Sequence, residues 1–243
     1  MTTKVLSVGG SIIAPDSPDA KFLSEFAAMV TDYLLKNKDS RLIFVAGGGG
    51  PARTYQNAYR DVAKTFNAEQ KKAAGFANTD AENNACDWLG IMATRLNAQL
   101  LKTVFGPLCE QDVIYNPTQV SDFTGRILVA AGWKPGFSTD NDAVLLAERF
   151  NADTVVNLSN IEKVYTDDPR KNPDAKPLDN ISWKDFRKMV GDEWVPGKNC
   201  PFDPIASKKA SEMKLTVICA GGKKITNIRA ILEGKEYIGT TIC

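Results

Sequence analysis

Three segments rich in glycine and hydroxyl side chains follow apolar runs of strand length in this sequence, at residues 9–11, 47–50 and 132–139. Glycine allows backbone N–H groups to approach a bound anion closely. A helix that follows such a loop directs its free amides and the positive end of its dipole at the same anion. In an open parallel sheet, ligands bind beyond the carboxyl ends of the strands. The three segments therefore predict a cradle for a polyanion, while each one alone is also compatible with a tight turn or a helix cap.

Several residue types and motifs are absent from the chain. There is no histidine, which removes the usual general base, the commonest zinc ligand and every Ser–His or Cys–His nucleophile pair. The Walker A motif and the Gly-x-Gly-x-x-Gly dinucleotide fingerprint are absent as well. The five cysteines have no metal-type spacing, so we expect free thiols in a reducing cytoplasm. Chemistry in this protein would use carboxylates, lysine, arginine, hydroxyls, backbone amides or a bound metal.

The composition is that of an ordinary globular protein. Of the 243 residues, 43% are hydrophobic and 24% are charged, and the net charge is +1. This balance creates no overall field that would attract nucleic acid or a membrane. The N-terminus lacks a signal-peptide pattern, and no run approaches the roughly 20 apolar residues that span a bilayer. We expect a cytoplasmic protein with a locally built anion site.

Strand-like and helix-like segments alternate along the chain. Strands are predicted at residues 5–8, 42–46, 112–115, 127–131, 154–158, 215–220 and 237–242, the last as an edge strand. This alternation predicts an α/β fold, in which a mostly parallel sheet is covered by helices on both faces.

The helices that must position the loops are marked by caps and periodicity. They are predicted to begin near Ser17, with Pro18 in the first turn, near Ala52, at Thr79 and at Ser138. In the long helix 79–105 the predicted apolar positions are Trp88, Ile91, Met92 and Leu96. Residues 167–181, rich in Pro, Asp and Asn, are predicted to form a surface loop.

Short motifs along nearly the whole chain occur in the order found in one known family. The longest is segment 159–169, Ser-Asn-Ile-Glu-Lys-Val-Tyr-Thr-Asp-Asp-Pro, within which residues 164–169 are the most specific. The others are Gly9-Gly10-Ser11, Gly47-Gly48-Gly49 with Arg53 and Tyr55, 90–91, 94–98, 135–140, Asp203-Pro204 with Ala206 and Lys208, and 239–242. On these residues the sequence resembles the amino-acid-kinase family and, within it, the shorter archaeal-type uridylate (UMP) kinases. The resemblance implies a three-layer αβα sandwich in a single domain over 1–243, with an acceptor lobe at about 1–150 and an ATP lobe at about 151–243.

The resemblance also implies which residues form the site. The ATP side would use Gly10, Ser11, Gly49, Arg53, Ser159, Asn160, Tyr165 and Asp168. The UMP side would use Gly48, Asp87, Trp133, Lys134, Pro135, Gly136, Phe137, Ser138 and Thr139. The catalytic residues would be Arg53, Asp203 and Lys208. The implied reaction transfers the γ-phosphoryl group of ATP to UMP with Mg²⁺, without a dedicated protein metal site, in a homo-oligomer that is a hexamer in relatives.

Plain structural interpretations remain open for several of these residues. Asp87 is also compatible with an exposed helix surface, Tyr165 with a buried aromatic position and Asp168 with a turn. Arg53 is also compatible with a solvated surface arginine. Thr139 with Asp142 has the spacing of a capping box, which is compatible with phosphate binding at the same helix end.

The chain departs from the family pattern in ways that bear on the acceptor. Ser7 stands where the family places a lysine in the first strand, and the substitutes for its charge would be Lys134, Lys198 or Lys208. Trp133, Lys134 and Phe137 replace the usual threonine and histidines of the acceptor loop, and Glu162-Lys163 replaces Asp-Gly. These departures leave open a kinase for another small acceptor. They also leave open a molybdate or tungstate storage protein of the same fold. Isopentenyl phosphate kinase is disfavoured because that group uses a histidine.

Overall fold

A seven-stranded sheet forms the centre of the residues that this computed structural model describes, which are 2–74, 79–122, 124–193 and 200–243. The strands of the described ranges are β1 (Thr2–Val8), β2 (Ser40–Ala46), β3 (Ile127–Ala130), β4 (Thr154–Ser159), β5 (Val164–Tyr165), β6 (Pro177–Leu178), β7 (Asn180–Ile181), β8 (Thr216–Gly221) and β9 (Thr240–Ile242). The central order is β3-β2-β1-β4-β8-β9-β7, and β5 pairs with β6 in a separate small sheet.

The five strands from β3 to β8 run parallel to one another. Their carboxyl ends therefore lie at one edge of the sheet, and the loops that follow them meet there. The chain moves outward from β1 to β2 and β3 on one side, and β4 and β8 extend the sheet on the other side. The strand order thus reverses beside β1, which is where an open α/β sheet forms its ligand crevice.

Helices cover both faces of the sheet. The α-helices of the described ranges are α1 (Gly10–Ile13), α2 (Ala20–Lys36), α3 (Gly49–Thr65), α4 (Ala68–Ala73), α5 (Thr79–Phe105), α6 (Thr139–Arg149), α7 (Trp183–Val190), α8 (Pro204–Glu212) and α9 (Ile225–Leu232). Side chains of α2, α5 and α9 share one core with one face of the strands. Side chains of α6, α7 and α8 share a second core with the opposite face. The predicted α/β three-layer arrangement is confirmed.

The alternation of side chains along β1 decides which core each residue reaches. Leu6 and Val8 belong to the core under α2 and α5, and Val5 belongs to the core under α6. Because successive strand residues point to opposite faces, Ser7 faces α6. Ser7 is 2% exposed, so its hydroxyl needs a partner on that side.

Several predicted boundaries differ from the structure. Helix α2 begins at Ala20 because the side chain of Asp19 accepts a hydrogen bond from the amide of Phe22, so Ser17 is not its cap. The predicted strand 112–115 is reduced to a single bridge between Ile114 and Ala130.

Expectations about the end of the chain, the surface segment 167–181 and helix α5 differ in part from the structure. Strand β9 is not an edge strand, because β7 pairs beyond it, and the predicted surface loop 167–181 contains β6 and β7.

On α5, Ile91 is buried, but Trp88, Met92 and Leu96 are exposed. The buried face of this helix follows the stripe through Ala98, Leu101 and Phe105 instead.

A bilayer span would need a longer and more apolar helix than any in the described ranges.

Candidate active site

The loops after β1 and β2 are in direct backbone contact. A Cβ placed on Gly10 would lie 1.9 Å from the amide nitrogen of Gly49, and one on Gly47 would lie 2.3 Å from the amide nitrogen of Gly10. Gly49 has a φ of +67°, and its Cβ would lie 2.3 Å from the carbonyl oxygens of Ala14 and Gly10. Only glycine fits these positions, so the predicted convergence of the two glycine loops is present in the structure.

Hydrogen bonds hold the two loops in this arrangement. The amide of Gly47 donates to the carbonyl oxygen of Val8 at 2.9 Å, and the amide of Gly50 donates to that of Ala14 at 2.9 Å. Nδ2 of Asn97 donates to the carbonyl oxygens of Gly47 at 2.7 Å and Gly48 at 3.2 Å. Asn97 is 3% exposed and lies on α5. This helix therefore fixes the position of the second glycine loop.

The third loop, predicted at residues 132–139, spans residues 131–138 between β3 and α6 and is tied to α5 through its backbone. The amide of Gly132 donates to Oγ1 of Thr94 at 2.8 Å. The carbonyl oxygen of Trp133 accepts from Nη2 of Arg95 at 3.2 Å. The amide of Gly136 donates to Oδ2 of Asp87 at 3.0 Å. Asp87, predicted to bind the acceptor, thus lies against the predicted acceptor loop.

Helix α6 begins immediately after this loop. Ser138 is its N-cap, and its hydroxyl oxygen accepts a hydrogen bond from the amide of Asn141. The cap is therefore Ser138, and the capping box predicted from Thr139 and Asp142 is wrong. Asp142 instead accepts a hydrogen bond from the amide of Trp133 through Oδ2, at 3.1 Å.

Three carboxylates approach one another where α6 and α8 begin. Oδ1 of Asp140 accepts a hydrogen bond from the hydroxyl of Ser7 at 2.9 Å. Asp142 is 0% exposed, and its Oδ1 has no hydrogen-bond partner among the described residues. Asp203 is the N-cap of α8 and accepts from the amide of Ala206 at 2.8 Å.

The surroundings of Asp140 and Asp142 favour the protonated form of both carboxyl groups. Burial raises the pKa of Asp140 to about 6, the Ser7 hydrogen bond counteracts this, and the charge of Asp203 adds to it. Burial raises the pKa of Asp142 to about 7, the Trp133 amide counteracts this, and the charges of Asp140 and Asp203 add to it. Asp140 and Asp142 therefore retain a proton at higher pH than ordinary aspartates do.

The described side chains do not form a ready-made metal cage. Among residues 2–74, 79–122, 124–193 and 200–243, no group of three or more Asp, Glu or Cys side chains has the arrangement of a metal site. Mg²⁺ is usually held in proteins by one or two carboxylates together with waters and substrate phosphates.

A crevice of about 280 Å³ opens beside the first glycine loop, between the loops after β4 and β8. Its lining residues are Ser159, Asn160, Glu162, Gly221, Gly222, Lys223, Lys224, Asn227 and Ile238. A Cβ on Gly222 would lie 2.9 Å from a side-chain carbon of Ile12 in α1, which connects the crevice to the cradle. Nζ of Lys224 lies 2.7 Å from Oε1 of Glu162 across this crevice.

The predicted ATP-side residues divide between this crevice and other positions. Ser159 and Asn160 line it. Tyr165 lies in β5, paired with Pro177. Asp168 accepts hydrogen bonds from the amide, Nε and Nη2 of Arg170. Asp168 therefore organises its own turn, which was the alternative left open for it.

The predicted cationic residues lie on exposed surfaces. Arg53 is exposed on the first turns of α3, and its Nη2 donates to the carbonyl oxygen of Pro15 at 3.0 Å. Lys208 is exposed on α8, and Lys134 is exposed in the acceptor loop. Lys198 lies outside the described residues.

Several site residues were missed or undervalued in the sequence. The sequence analysis included Asp140 only within the motif 135–140, and Asp142 only as part of the predicted capping box with Thr139. Asp142 lies one helical turn before the apolar residue Leu146, which is buried, and this spacing was the signal that could have predicted the burial of Asp142. The pairing of Glu162 with Lys224 joins residues 62 positions apart, and no local pattern marks it.

Comparison with known proteins gives a consistent result. The model of the amino acid kinase family matches residues 2–221. Uridylate kinase of Methanospirillum hungatei is 34% identical over 245 residues, covering 100% of this chain and 95% of that protein. Uridylate kinase of Pyrococcus abyssi is 32% identical over 247 residues, covering 98% of each protein. The crystal structure of uridylate kinase from Archaeoglobus fulgidus matches with a TM-score of 0.79 and 28% identity, covering 100% of both chains.

The family model covers most of the chain, and the similarity to these relatives extends along its full length. The glycine loops after β1 and β2, which carry the first motifs of the resemblance, contact each other at the carboxyl edge of the sheet. On this evidence the chain belongs to the amino acid kinase family.

Proposed function

We propose that this protein is a uridylate kinase, which transfers the γ-phosphoryl group of ATP to UMP and yields ADP and UDP. The observation that carries the proposal is the backbone contact between Gly10 and Gly49. It creates a glycine-lined surface between the crevice at β4 and β8 and the acceptor loop after β3. Relatives named uridylate kinase align along 98–100% of the chain, which supports the choice of acceptor.

The crevice beside Ser159 would hold the nucleoside part of ATP in this proposal. Its lining offers polar groups and the apolar surface of Ile238. The phosphates would extend from there toward Gly10, Ser11 and Gly49, whose backbone amides would donate hydrogen bonds to them. Tyr165 and Asp168 would act at the rim of this site, since neither lines the crevice itself.

The acceptor would lie on the other side of the glycine contact. Gly48, Asp87 and the loop 133–139 would hold UMP, with Asp87 accepting a hydrogen bond from a ribose hydroxyl through the oxygen that Gly136 does not use. This division corresponds to an acceptor part at about 1–150 and an ATP part at about 151–243.

Phosphoryl transfer between two nucleotides requires alignment and charge neutralisation more than covalent chemistry. The acceptor phosphate is already anionic, so a chain without histidine needs no general base. Mg²⁺ bound to the ATP phosphates would supply additional positive charge. Arg53 and Lys208 would neutralise phosphate charge, and Asp203, held rigidly at the start of α8, would orient the centre.

The alternatives left open by the acceptor loop are not favoured by the comparisons, because relatives that match the full length of the chain are named uridylate kinases. Trp133, Lys134 and Phe137 differ from the family pattern, so a kinase for another small acceptor or an oxyanion storage protein would be consistent with the same fold. Storage of molybdate or tungstate would give nucleotide binding without turnover.

The test is a coupled assay of ADP release with ATP and Mg²⁺ across UMP, CMP, dUMP and AMP. We expect turnover with UMP that depends on all three components. Turnover with a different monophosphate instead of UMP would identify that compound as the acceptor. Nucleotide binding with retained molybdate but no turnover would indicate an oxyanion storage protein. Absence of turnover with every monophosphate would contradict the proposal. Sedimentation analysis of the same sample tests the expected homo-oligomer, a hexamer by resemblance.

A further inference from the structure

Two aromatic rings of the loop between β3 and α6 contact each other and share one cation. The ring centroids of Trp133 and Phe137 are 4.9 Å apart, with an interplanar angle of 52°. Nζ of Lys134 lies 4.1 Å from the Trp133 centroid and 4.9 Å from that of Phe137. Phe137 is 36% exposed, and Trp133 is half-buried. The rings therefore offer accessible aromatic surface within the predicted acceptor loop.

The backbone around these rings is fixed on both sides. Trp133 donates from its amide to Asp142 and accepts at its carbonyl oxygen from Arg95. Gly136 has a φ of +80° and donates from its amide to Asp87. A ring pair on an anchored loop loses little freedom when a flat ligand stacks on it, which favours binding.

The position of the ammonium group identifies the ring surfaces that attract a ligand. A lysine ammonium over an aromatic ring is held by the negative charge of the ring face. A planar nucleobase stacks on the same faces, and this contact tolerates every base because each one has a π-face. Lys134 and a base would therefore compete for Trp133 and Phe137.

We propose that Trp133 and Phe137 form the stacking surface for the base of the acceptor, and that the Lys134 ammonium leaves these rings when the base stacks on them. The proposal rests on the proposed function, because it assigns the acceptor of the same site to compounds with a planar base. Lys134 lies in the same loop, so its freed ammonium remains next to the acceptor phosphate. The two rings thus select nucleoside monophosphates over sugar phosphates.

The experiment compares the dissociation constants of UMP and ribose 5-phosphate for the full chain by calorimetry. Both compounds carry the phosphate, so the ratio of their constants isolates the contribution of the base. In the unmodified protein we expect UMP to bind roughly 5- to 150-fold more tightly. Trp133→Ala and the milder Phe137→Leu should each move this ratio toward one.

Lys134→Ala provides a test of opposite sign. It removes the competitor from the rings, so the ratio should increase by roughly two- to five-fold, even where the affinity for both phosphates decreases. Leu35→Ala, which truncates an exposed apolar side chain on α2, should leave the ratio unchanged.

The outcomes separate this proposal from the proposed function. A ratio close to one in the unmodified protein, or a ratio that both folded ring variants preserve, overturns the stacking surface even if UMP is phosphorylated. A ratio that falls in the ring variants supports the surface even if the coupled assay shows no phosphorylation of UMP. Circular dichroism establishes that each variant is folded.

Discussion

The hydroxyl of Ser7 in β1 donates a hydrogen bond of 2.9 Å to Oδ1 of Asp140, a residue 133 positions later at the start of α6. The bond joins the central strand to the helix that follows the acceptor loop. It is also the interaction that most counteracts the effect of burial on the Asp140 carboxyl. A small neutral side chain thus favours the ionised form of an acid at the candidate active site.

Ser7→Ala should raise the pKa of Asp140 above its value of about 6. The ionised carboxylate loses its donor, so the protonated form becomes relatively more stable. Carbon-13 NMR of the aspartate carboxyl groups during a pH titration measures this change. Ser182→Ala is the control, because its hydroxyl contacts the exposed Asp185 at 2.7 Å. An unchanged Asp140 titration in Ser7→Ala would show that the bond does not influence the acid.

Asp142→Asn should reduce the dependence of stability on pH. The pKa of Asp142 is about 7 in the folded chain, against an ordinary value of 3.8. The folded state therefore retains a proton that the unfolded state releases in this range, and the free energy of unfolding decreases as the pH rises from about 4 to about 7. Each unit of difference corresponds to about 1.4 kcal/mol, so we expect this residue to contribute about 1–4 kcal/mol to the decrease.

Urea denaturation at pH 5 and pH 8 measures the effect. The free energy of unfolding should differ less between pH 5 and pH 8 in Asp142→Asn than in the unmodified protein. Asp61→Asn, which changes an exposed carboxylate on α3, should leave the difference unchanged. Equal pH dependence in Asp142→Asn and the unmodified protein would contradict the raised pKa.

Gly49→Ala should destabilise the chain far more than Gly234→Ala. Both glycines have a φ of +67°, but a Cβ on Gly49 would lie 2.3 Å from two carbonyl oxygens, while one on Gly234 meets nothing within 4 Å. Gly234→Ala thus reports backbone strain alone, about 1–2 kcal/mol. Gly49→Ala adds a steric overlap in the cradle and should also abolish ATP binding. Similar denaturation midpoints for the two variants would show that the glycine contact is not tight.

Arg53→Ala should reduce kcat/KM for the coupled reaction by roughly 10- to 100-fold without unfolding the protein, because a charge-assisted hydrogen bond to phosphate contributes about 1.5–3 kcal/mol. The control is Arg60→Ala, an exposed arginine two turns further along α3 that contacts Asn57. If Arg53→Ala retained full activity, the hydrogen bond to Pro15 would be the whole role of this residue.

Lys224→Met should raise the KM for ATP by roughly two- to five-fold and leave the KM for UMP unchanged. The ammonium pairs with Glu162 across the crevice and lowers the pKa of that carboxyl. Losing it leaves an uncompensated negative charge beside the proposed nucleotide site. Lys235→Met, which disrupts an exposed pair with Glu233, is the matched control. A change in the KM for UMP alone would show that Lys224 acts on the acceptor and not on ATP, which would contradict the proposal.

The structure also shows why some sequence expectations about helices and strands were wrong. Ser17 and Asp19 are both good caps, and only the path of the chain selected Asp19. The apolar residues Trp88, Met92 and Leu96 follow a helical period, but a period does not determine which face of α5 meets the sheet. Strand β9 looked like an edge because its partner β7 is only two residues long.

The sequence by itself determined the α/β class and the positions of the glycine-rich loops, because apolar runs and glycine clusters act locally and each one is visible within a few residues. It also excluded histidine chemistry outright. The tertiary structure alone decided the burial of Asp142, the bond between Ser7 and Asp140, and the pairing of Glu162 with Lys224. These depend on which distant segments share one environment, and charge and desolvation act through space rather than along the chain.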